Sequence, residues 1–280
     1  MRAGNGLSEG SPEPARRPAL AEARCAARCG SCGMLSISGL SKRFGGLAVL
    51  EDFSASVERG GFTVLVGPSG CGKSTLFDVL TGIVRRDAGR IAWLGREVEH
   101  LGRSAAYMQQ KDLLLPWLTL LENALLPARV ARGRGCSKEN DARARGLFAR
   151  LGLEGFEGHL PGRVSGGMRQ RCALVRTLMF DHELVLLDEP LSALDAITRS
   201  SLQSLLLMLQ KDFGKTLLMI THDVEEALLL ADELLVLSRP PMRALRRIVL
   251  GTPKPRRVGD PELARHKEQI LGQLGGGSDR

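Results

Sequence analysis

The sequence predicts an α/β fold in three parts: a parallel-sheet core, an antiparallel β layer beside it, and an inserted helical subdomain. Three observations predict it. The apolar run Phe62–Val66 leads through the glycine-rich stretch Gly67–Thr75 into a helical pattern with Leu76, Phe77, Leu80 and Ile83 on one face. LVLL before Asp188 and TLLMI before Thr221 are continuous apolar runs, as central strands buried on both faces should be. Residues 111–164 are leucine-rich, helical in period and almost free of Val and Ile. Such a block between strand-like segments reads as an insertion of helices.

Taken in order, residues 1–33 are expected to be a disordered extension, with Pro12, Pro14 and Pro18 and no apolar periodicity. Structure is expected to begin at Met34, itself a candidate translation start. LSIS, AVLEDFSASV and RIAWL, between Leu35 and Leu94, alternate in part and read as short strands of the antiparallel layer. The helical subdomain is expected over about residues 111–180, broken by the polar stretch RGRGCSKEN. The main folded domain is expected over residues 34–240. After Ser238 the chain turns Pro- and Arg-rich, so residues 241–280 are expected to be a basic tail with one short helix, Pro261–Leu274.

Composition narrows the class. Of 280 residues, 43% are hydrophobic and 25% charged, as in ordinary globular proteins. No run of 18 apolar residues occurs, so no segment is expected to span a bilayer by itself. The N-terminus lacks a secretory pattern, which makes the cytoplasm the expected compartment. The net charge of +8 sits at the ends: residues 1–33 carry five Arg against three Glu, and residues 239–280 carry ten Lys and Arg against four acids. A nucleic-acid site would instead place its basic face on the folded domain, so no nucleic-acid partner is expected. Cys25, Cys29 and Cys32 have a spacing that suits a metal cluster, but their segment offers no core and no fourth ligand. Cys71, Cys136 and Cys172 read as reduced thiols.

The chemistry begins in GPSGCGKST, which fits G-x-x-x-x-G-K-[ST] in its required setting of strand, loop and helix. Gly67, Gly70 and Gly72, with Pro68, Ser69 and Cys71 between them, let backbone N–H groups turn onto phosphates at the positive end of a helix. Lys73 is expected to reach the β- and γ-phosphates and Ser74 to hold Mg²⁺, with Thr75 beside it. Asp188 at a strand tip is placed to bind Mg²⁺ as well, and Glu189 to orient or deprotonate water. Taken alone, that Asp-Glu pair would equally cap a helix. In VSGGMRQR, Ser165 resembles an N-cap, and Gly166 and Gly167 allow an anion close to the backbone.

With SALD at Ser192–Asp195, His222 in THD and Gln110 in YMQQKDLLLPW, these residues resemble the ATP-binding cassette ATPases of membrane transporters over about residues 34–240. The resemblance implies a P-loop ATPase core. It assigns Gly67–Thr75 to the Walker A loop, Gln110 to the glutamine loop, Val164–Met168 to the signature and Leu184–Glu189 to Walker B. Ser192–Asp195 become the D-loop and His222 the switch histidine. Gln109 competes with Gln110 for its assignment; KDLLLPW favours Gln110. Phe44 matches an adenine-stacking aromatic, against a plain core role, and both readings stay open. The signature departs from the usual LSGGQ, retaining Ser165 and Gly167. LLLPWLTLLENA and SGGMRQR resemble the importers of nitrate, sulfonates, taurine and thiamine precursors.

The resemblance implies ATP and Mg²⁺ as cofactors, with Ser74, Gln110 and Asp188 around the metal and Glu189, Gln110 and His222 in catalysis. It implies a head-to-tail dimer with a second ATPase subunit, separate transmembrane permease subunits, a solute-binding protein, and a place on the cytoplasmic face of the membrane. An exporter subunit is the competing reading. A soluble cassette acting on DNA or ribosomes fits less well, since one cassette and no long heptads are present. The apolar stretch Leu113–Pro127 stands equally as core or as a partner surface centred on Trp117.

Overall fold

The structure is a computed structural model describing Met1 and residues 33–132, 138–192 and 194–275. The expected extension with Cys25, Cys29 and Cys32, and the polar break around Cys136, lie outside the described residues.

The antiparallel layer forms where the sequence alternates. β1 (Leu35–Phe44) and β2 (Leu47–Val57) make a hairpin, and β1 also pairs with β4 (Ala88–Trp93), which pairs with β5 (Arg96–Val98). The order is β2-β1-β4-β5. Leu35, Ile37, Leu40, Leu50, Phe53, Val57 and Ile91 turn one face inward and are buried, with register shifts along the β1–β2 hairpin breaking the strict period of two. Gly89, at φ +91, is required by close approach: a Cβ there would lie 2.5 Å from the Gly39 carbonyl oxygen.

The second sheet holds β3 (Phe62–Val66), β6 (Ala105–Met108), β7 (Leu184–Asp188), β8 (Thr216–Thr221), β9 (Glu233–Leu237) and β10 (Ala244–Val249). Its order is β10-β9-β3-β8-β7-β6, parallel except where β10 meets β9. The continuous apolar runs are explained by two cores. Val64, Val66, Val185, Leu187, Leu217 and Met219 face the helices, while Leu65, Leu184, Leu186, Leu218 and Ile220 face the antiparallel layer.

Helix α1 (Lys73–Thr81) packs Leu76, Phe77, Val79 and Leu80 into the core shared with the antiparallel layer. It stops at Gly82, which is left-handed at φ 83, so Ile83 falls beyond the helix and is exposed. That corrects the expected fourth residue of its buried face. The other core is covered by α2 (Leu120–Ala124), α3 (Leu126–Arg132), α4 (Lys138–Arg150), α5 (Gly166–Leu178), α6 (Ala196–Lys211) and α7 (Val224–Leu230). A capping box between Thr119 and Glu122 starts α2. Buried Asn123 binds the preceding loop, donating to the carbonyls of Leu115, Leu118 and Thr119 and accepting from Leu115 N.

Beyond residue 240 the structure differs from a tail. β10 extends the sheet, and α8 (Pro261–Gly275) packs on α7, burying Leu263 and Ile270. Several cations of this basic segment are used within the fold: Arg247 pairs with Glu233, Lys254 with Asp232 at 2.6 Å, and buried Arg256 donates to the carbonyls of Leu228, Leu250, Ala231 and Thr252. Local composition cannot reveal this, because the partners lie far away along the chain.

Candidate functional site

The parallel strands β3, β7 and β8 end side by side, and the loops that follow them build the site. After β3, Gly72 takes φ 112 and caps α1 with no side-chain bond to the first N–H groups. A Cβ at Gly72 would stand 2.9 Å from Val49 Cγ1, so both the backbone conformation and the packing demand glycine. At Gly67 a Cβ would meet Leu237 Cβ at 2.9 Å. The loop thus presents bare backbone at a helix N-terminus, an arrangement suited to phosphate. Cys71 packs inward, 0% exposed, and burial pushes its thiol pKa up, opposed by Lys73.

Lys73 is 5% exposed and donates to the carbonyls of Gly67 at 2.9 Å and Pro68 at 3.0 Å. Its ammonium also lies 3.7 Å from Glu189 Oε1. Glu189, directly after β7, has φ 45, a left-handed conformation costing on the order of 1–3 kcal/mol in a residue with a side chain. Its N–H donates to the Ile220 carbonyl at 2.9 Å and its carbonyl accepts from Ser192 Oγ at 2.9 Å. These bonds hold the strain and aim the carboxylate. Glu189 Oε2 accepts from Gln110 Nε2 at 3.1 Å and lies 3.1 Å from His222 Nδ1.

Asp188 is 3% exposed and is raised above the usual carboxylate range by burial, although hydrogen bonds from Ser74 and Tyr107 oppose the rise. Tyr107 Oη donates to its Oδ2 at 3.3 Å, while the buried Oδ1 has no hydrogen-bond partner. A buried anionic oxygen with an open coordination position beside the Ser74 hydroxyl fits a hard divalent cation such as Mg²⁺. Sequence reasoning missed Tyr107. It packs edge-on to Phe77, centroids 5.7 Å apart, and burial and Asp188 push its hydroxyl pKa up, so it stays a donor. A lone tyrosine near the end of a short strand carries no motif that would reveal it.

A cavity of about 470 Å³ is lined by Phe44, Ser69, Gly70, Gly72, Lys73, Ser74, Thr75, Gln110 and Glu189. Of the two glutamines, Gln110 is therefore the one brought to the acid. Phe44 stands at this cavity, 48% exposed, with Lys42 Nζ 5.3 Å from its ring centroid, so a core role does not apply. The segment Ser165–Gly167 does not line this cavity. Ser165 caps α5 by accepting from Met168 N at 3.3 Å, Ser165 and Gly166 face solvent, and Gly167 abuts Thr198. The chain therefore assembles its phosphate loop, acids, glutamine and histidine in one place and presents its signature glycines elsewhere.

Comparison with known proteins agrees with this geometry. Residues 50–192 match the profile of the ABC transporter family. The chain is 40% identical over 250 residues to the taurine import ATP-binding protein TauB of Yersinia pestis bv. Antiqua, covering 86% of this chain and 97% of that one. It is 41% identical over 235 residues to TauB of Pseudomonas aeruginosa, covering 81% of this chain and 89% of its relative. Among solved structures, the dimeric post-hydrolysis cassette MJ0796 bound to ADP and Pi aligns with a TM-score of 0.69 and 27% identity, covering 78% of this chain and all of that one. The ADP conformation of the cassette MJ1267 aligns at 0.72 and 23% identity, over 88% of this chain and 96% of that one; that likeness speaks to the fold.

Proposed function

The chain belongs to the ABC transporter family, and from that premise we propose that it is the ATP-hydrolysing subunit of an importer of a small solute. The TauB relatives are named for taurine import, which makes taurine the first solute to test. That naming also favours import over export.

The observation that carries the reading is the Glu189 carboxylate, held among Lys73, Gln110 and His222 at the mouth of the phosphate-loop cavity. ATP's phosphates lie on Gly67–Thr75, with Lys73 on the β- and γ-phosphates and adenine against Phe44. Ser74, Asp188 and Gln110 would hold Mg²⁺, which when bound would supply positive charge against the phosphoryl oxygens. Glu189 takes a proton from the attacking water, Gln110 orients that water, and His222 contacts the γ-phosphate. Water adds to the γ-phosphorus as its bond to the ADP oxygen breaks.

Ser165, Gly166 and Gly167 act on the ATP of a second copy in a head-to-tail dimer. Their place outside this chain's own cavity supports that, as does the dimeric cassette of similar fold. No helix of the described residues is long and apolar enough to cross a membrane. In this reading the dimer works through separate permease subunits at the cytoplasmic face, supplied by a solute-binding protein. The test is Mg²⁺-dependent ATP turnover by the purified chain, together with purification of the native complex. Turnover abolished by Glu189→Gln and co-purifying permease subunits support the reading. Turnover that survives Glu189→Gln, or a complex without membrane subunits, overturns it.

A further inference from the structure

One buried acid outside the cavity joins two of its loops. Glu226, on α7, is 6% exposed. Its Oε2 accepts from Thr221 Oγ1 at 2.9 Å, and its Oε1 lies 3.6 Å from Arg199 Nε. Thr221 is the last residue of β8, immediately before His222. Its hydroxyl donates to Glu226 and accepts from Asp223 N at 3.0 Å, so it brackets the histidine from both sides. Asp223 Oδ1 in turn accepts from Glu226 N at 3.2 Å. Arg199, near the start of α6, donates through NH2 to the Leu194 carbonyl at 3.1 Å.

Two features show that this cluster does more than fill space. Burying a carboxylate is costly, and burial raises the Glu226 pKa even though Thr221 and Arg199 oppose the rise. An apolar residue would cover α7 without that cost. Arg199 Nε is buried and has no hydrogen-bond partner, because 3.6 Å is too long for a hydrogen bond to the acid it faces. The contact is thus one short movement away from a charge-assisted bond, and the helix that carries Arg199 is capped by Asp195, next to Leu194.

We infer that Glu226 is a positioning residue for His222, holding its turn through Thr221 and linking it through Arg199 to the segment Leu194–Asp195. The inference rests on the catalytic reading above. The chain of contacts runs Leu194, Arg199, Glu226, Thr221, His222, Glu189. It gives the histidine a fixed approach to Glu189 Oε2. It also makes that approach respond to the Leu194–Asp195 segment, so seating of the segment and readiness for hydrolysis are coupled.

Steady-state ATP turnover with Mg²⁺ tests this on the full chain. Thr221→Val removes the hydroxyl at nearly constant volume. It should lower kcat about tenfold, the scale of one lost hydrogen bond to an ionised group, with KM for ATP unchanged. Thr221→Ser should recover most of the loss. Arg199→Gln, which leaves the buried hydroxyl intact and so avoids an unpaired Glu226, should lower kcat several-fold, again without affecting KM. Wild-type kcat in both Thr221→Val and Arg199→Gln overturns the inference, and so does a rise in KM that matches the fall in kcat. Failure of Ser to rescue also overturns it. A His222→Ala protein with normal kcat would instead sink the role given to His222 itself, and an inactive wild type would sink the ATPase reading.

Discussion

The imidazole of His222 and the carboxylate of Glu189 meet at 3.1 Å, Nδ1 to Oε2, across the ends of the adjacent strands β8 and β7. Gln110 reaches the same oxygen from β6 on the other side. One carboxylate is therefore held by groups from the strands on either side of its own, beside a lysine at 3.7 Å.

That convergence makes Glu189→Gln an informative substitution. It keeps the shape and the contact with Gln110 but removes the base. Turnover should fall about 10²-fold or more, the scale of a lost general base, while nucleotide affinity is retained and an ATP-bound dimer accumulates. Lys73→Ala should show the opposite pattern, with binding lost first. Equilibrium nucleotide binding and single-turnover hydrolysis separate the two.

Composite sites are best probed at Gly166. Gly167→Asp would place a carboxylate where the partner's phosphate is proposed to sit, but a Cβ at Gly167 lies 2.3 Å from Thr198 Cγ2, so the fold itself would be disturbed. Gly166 has room, its nearest neighbour being Arg169 NH2 at 3.7 Å. Gly166→Asp should leave ATP binding by the monomer intact and reduce both dimerisation and turnover through like-charge repulsion. Lost binding in the isolated monomer would mean that the signature serves its own chain's site.

Phe44→Ala should raise the KM for ATP about tenfold with little change in kcat. Stacking of a base on an aromatic ring contributes about 1–3 kcal/mol, and a phenyl ring carries no group able to orient or deprotonate water. An unchanged KM would remove adenine from this ring. A fall in kcat alone would point to a role for Phe44 in loop placement.

Trp117 is 70% exposed, whereas Leu114, Leu120, Leu121, Ala124 and Leu125 of the same stretch are buried. Those residues are core, whereas Leu113, at 50% exposed, and the tryptophan, on a loop anchored by Asn123, are surface. Exposed aromatics on rigid loops commonly anchor interfaces. Trp117→Asp should therefore change Tm little, as surface substitutions do, and should weaken co-purification with the permease subunits. Normal assembly and transport would remove Trp117 from the interface.

Cys172, on α5 behind the signature, is 0% exposed, and burial pushes its thiol pKa up to about 12, Arg176 opposing and Asp112 adding. A thiol deprotonated only above the working range is a poor nucleophile. At pH 8, iodoacetamide should leave Cys172 unmodified in the native protein and label it after unfolding, as peptide mapping would read. Rapid native labelling would mean that α5 opens locally.

The parts of the site legible in advance are those written in consecutive residues. Gly67–Thr75 require only a strand, a turn and a helix start, and the structure builds them at Gly72 and Lys73. The central strands were legible because residues buried on both faces leave no polar alternation, as Leu184–Leu187 illustrate. β10 was not, because Arg246 and Arg247 interrupt its apolar pattern, and it pairs only once the sheet has formed. The folded C-terminal segment was obscured for the same reason: its charges look solvated until Asp232 and Glu233 are seen beside them.

By itself, then, the sequence determined the phosphate loop, the acid at the strand tip, the layered α/β plan and the family, since each depends on local periodicity or short spacing. Only the tertiary structure decided which glutamine meets the acid, that Tyr107 donates to Asp188, that Phe44 and Trp117 are surface, and that Glu226 accepts from Thr221, the residue before the histidine. Gln110 and Glu189 are 79 residues apart and Tyr107 and Asp188 are 81. Their meeting depends on strand order and register, and periodicity assigns a residue to a face without saying what stands opposite it.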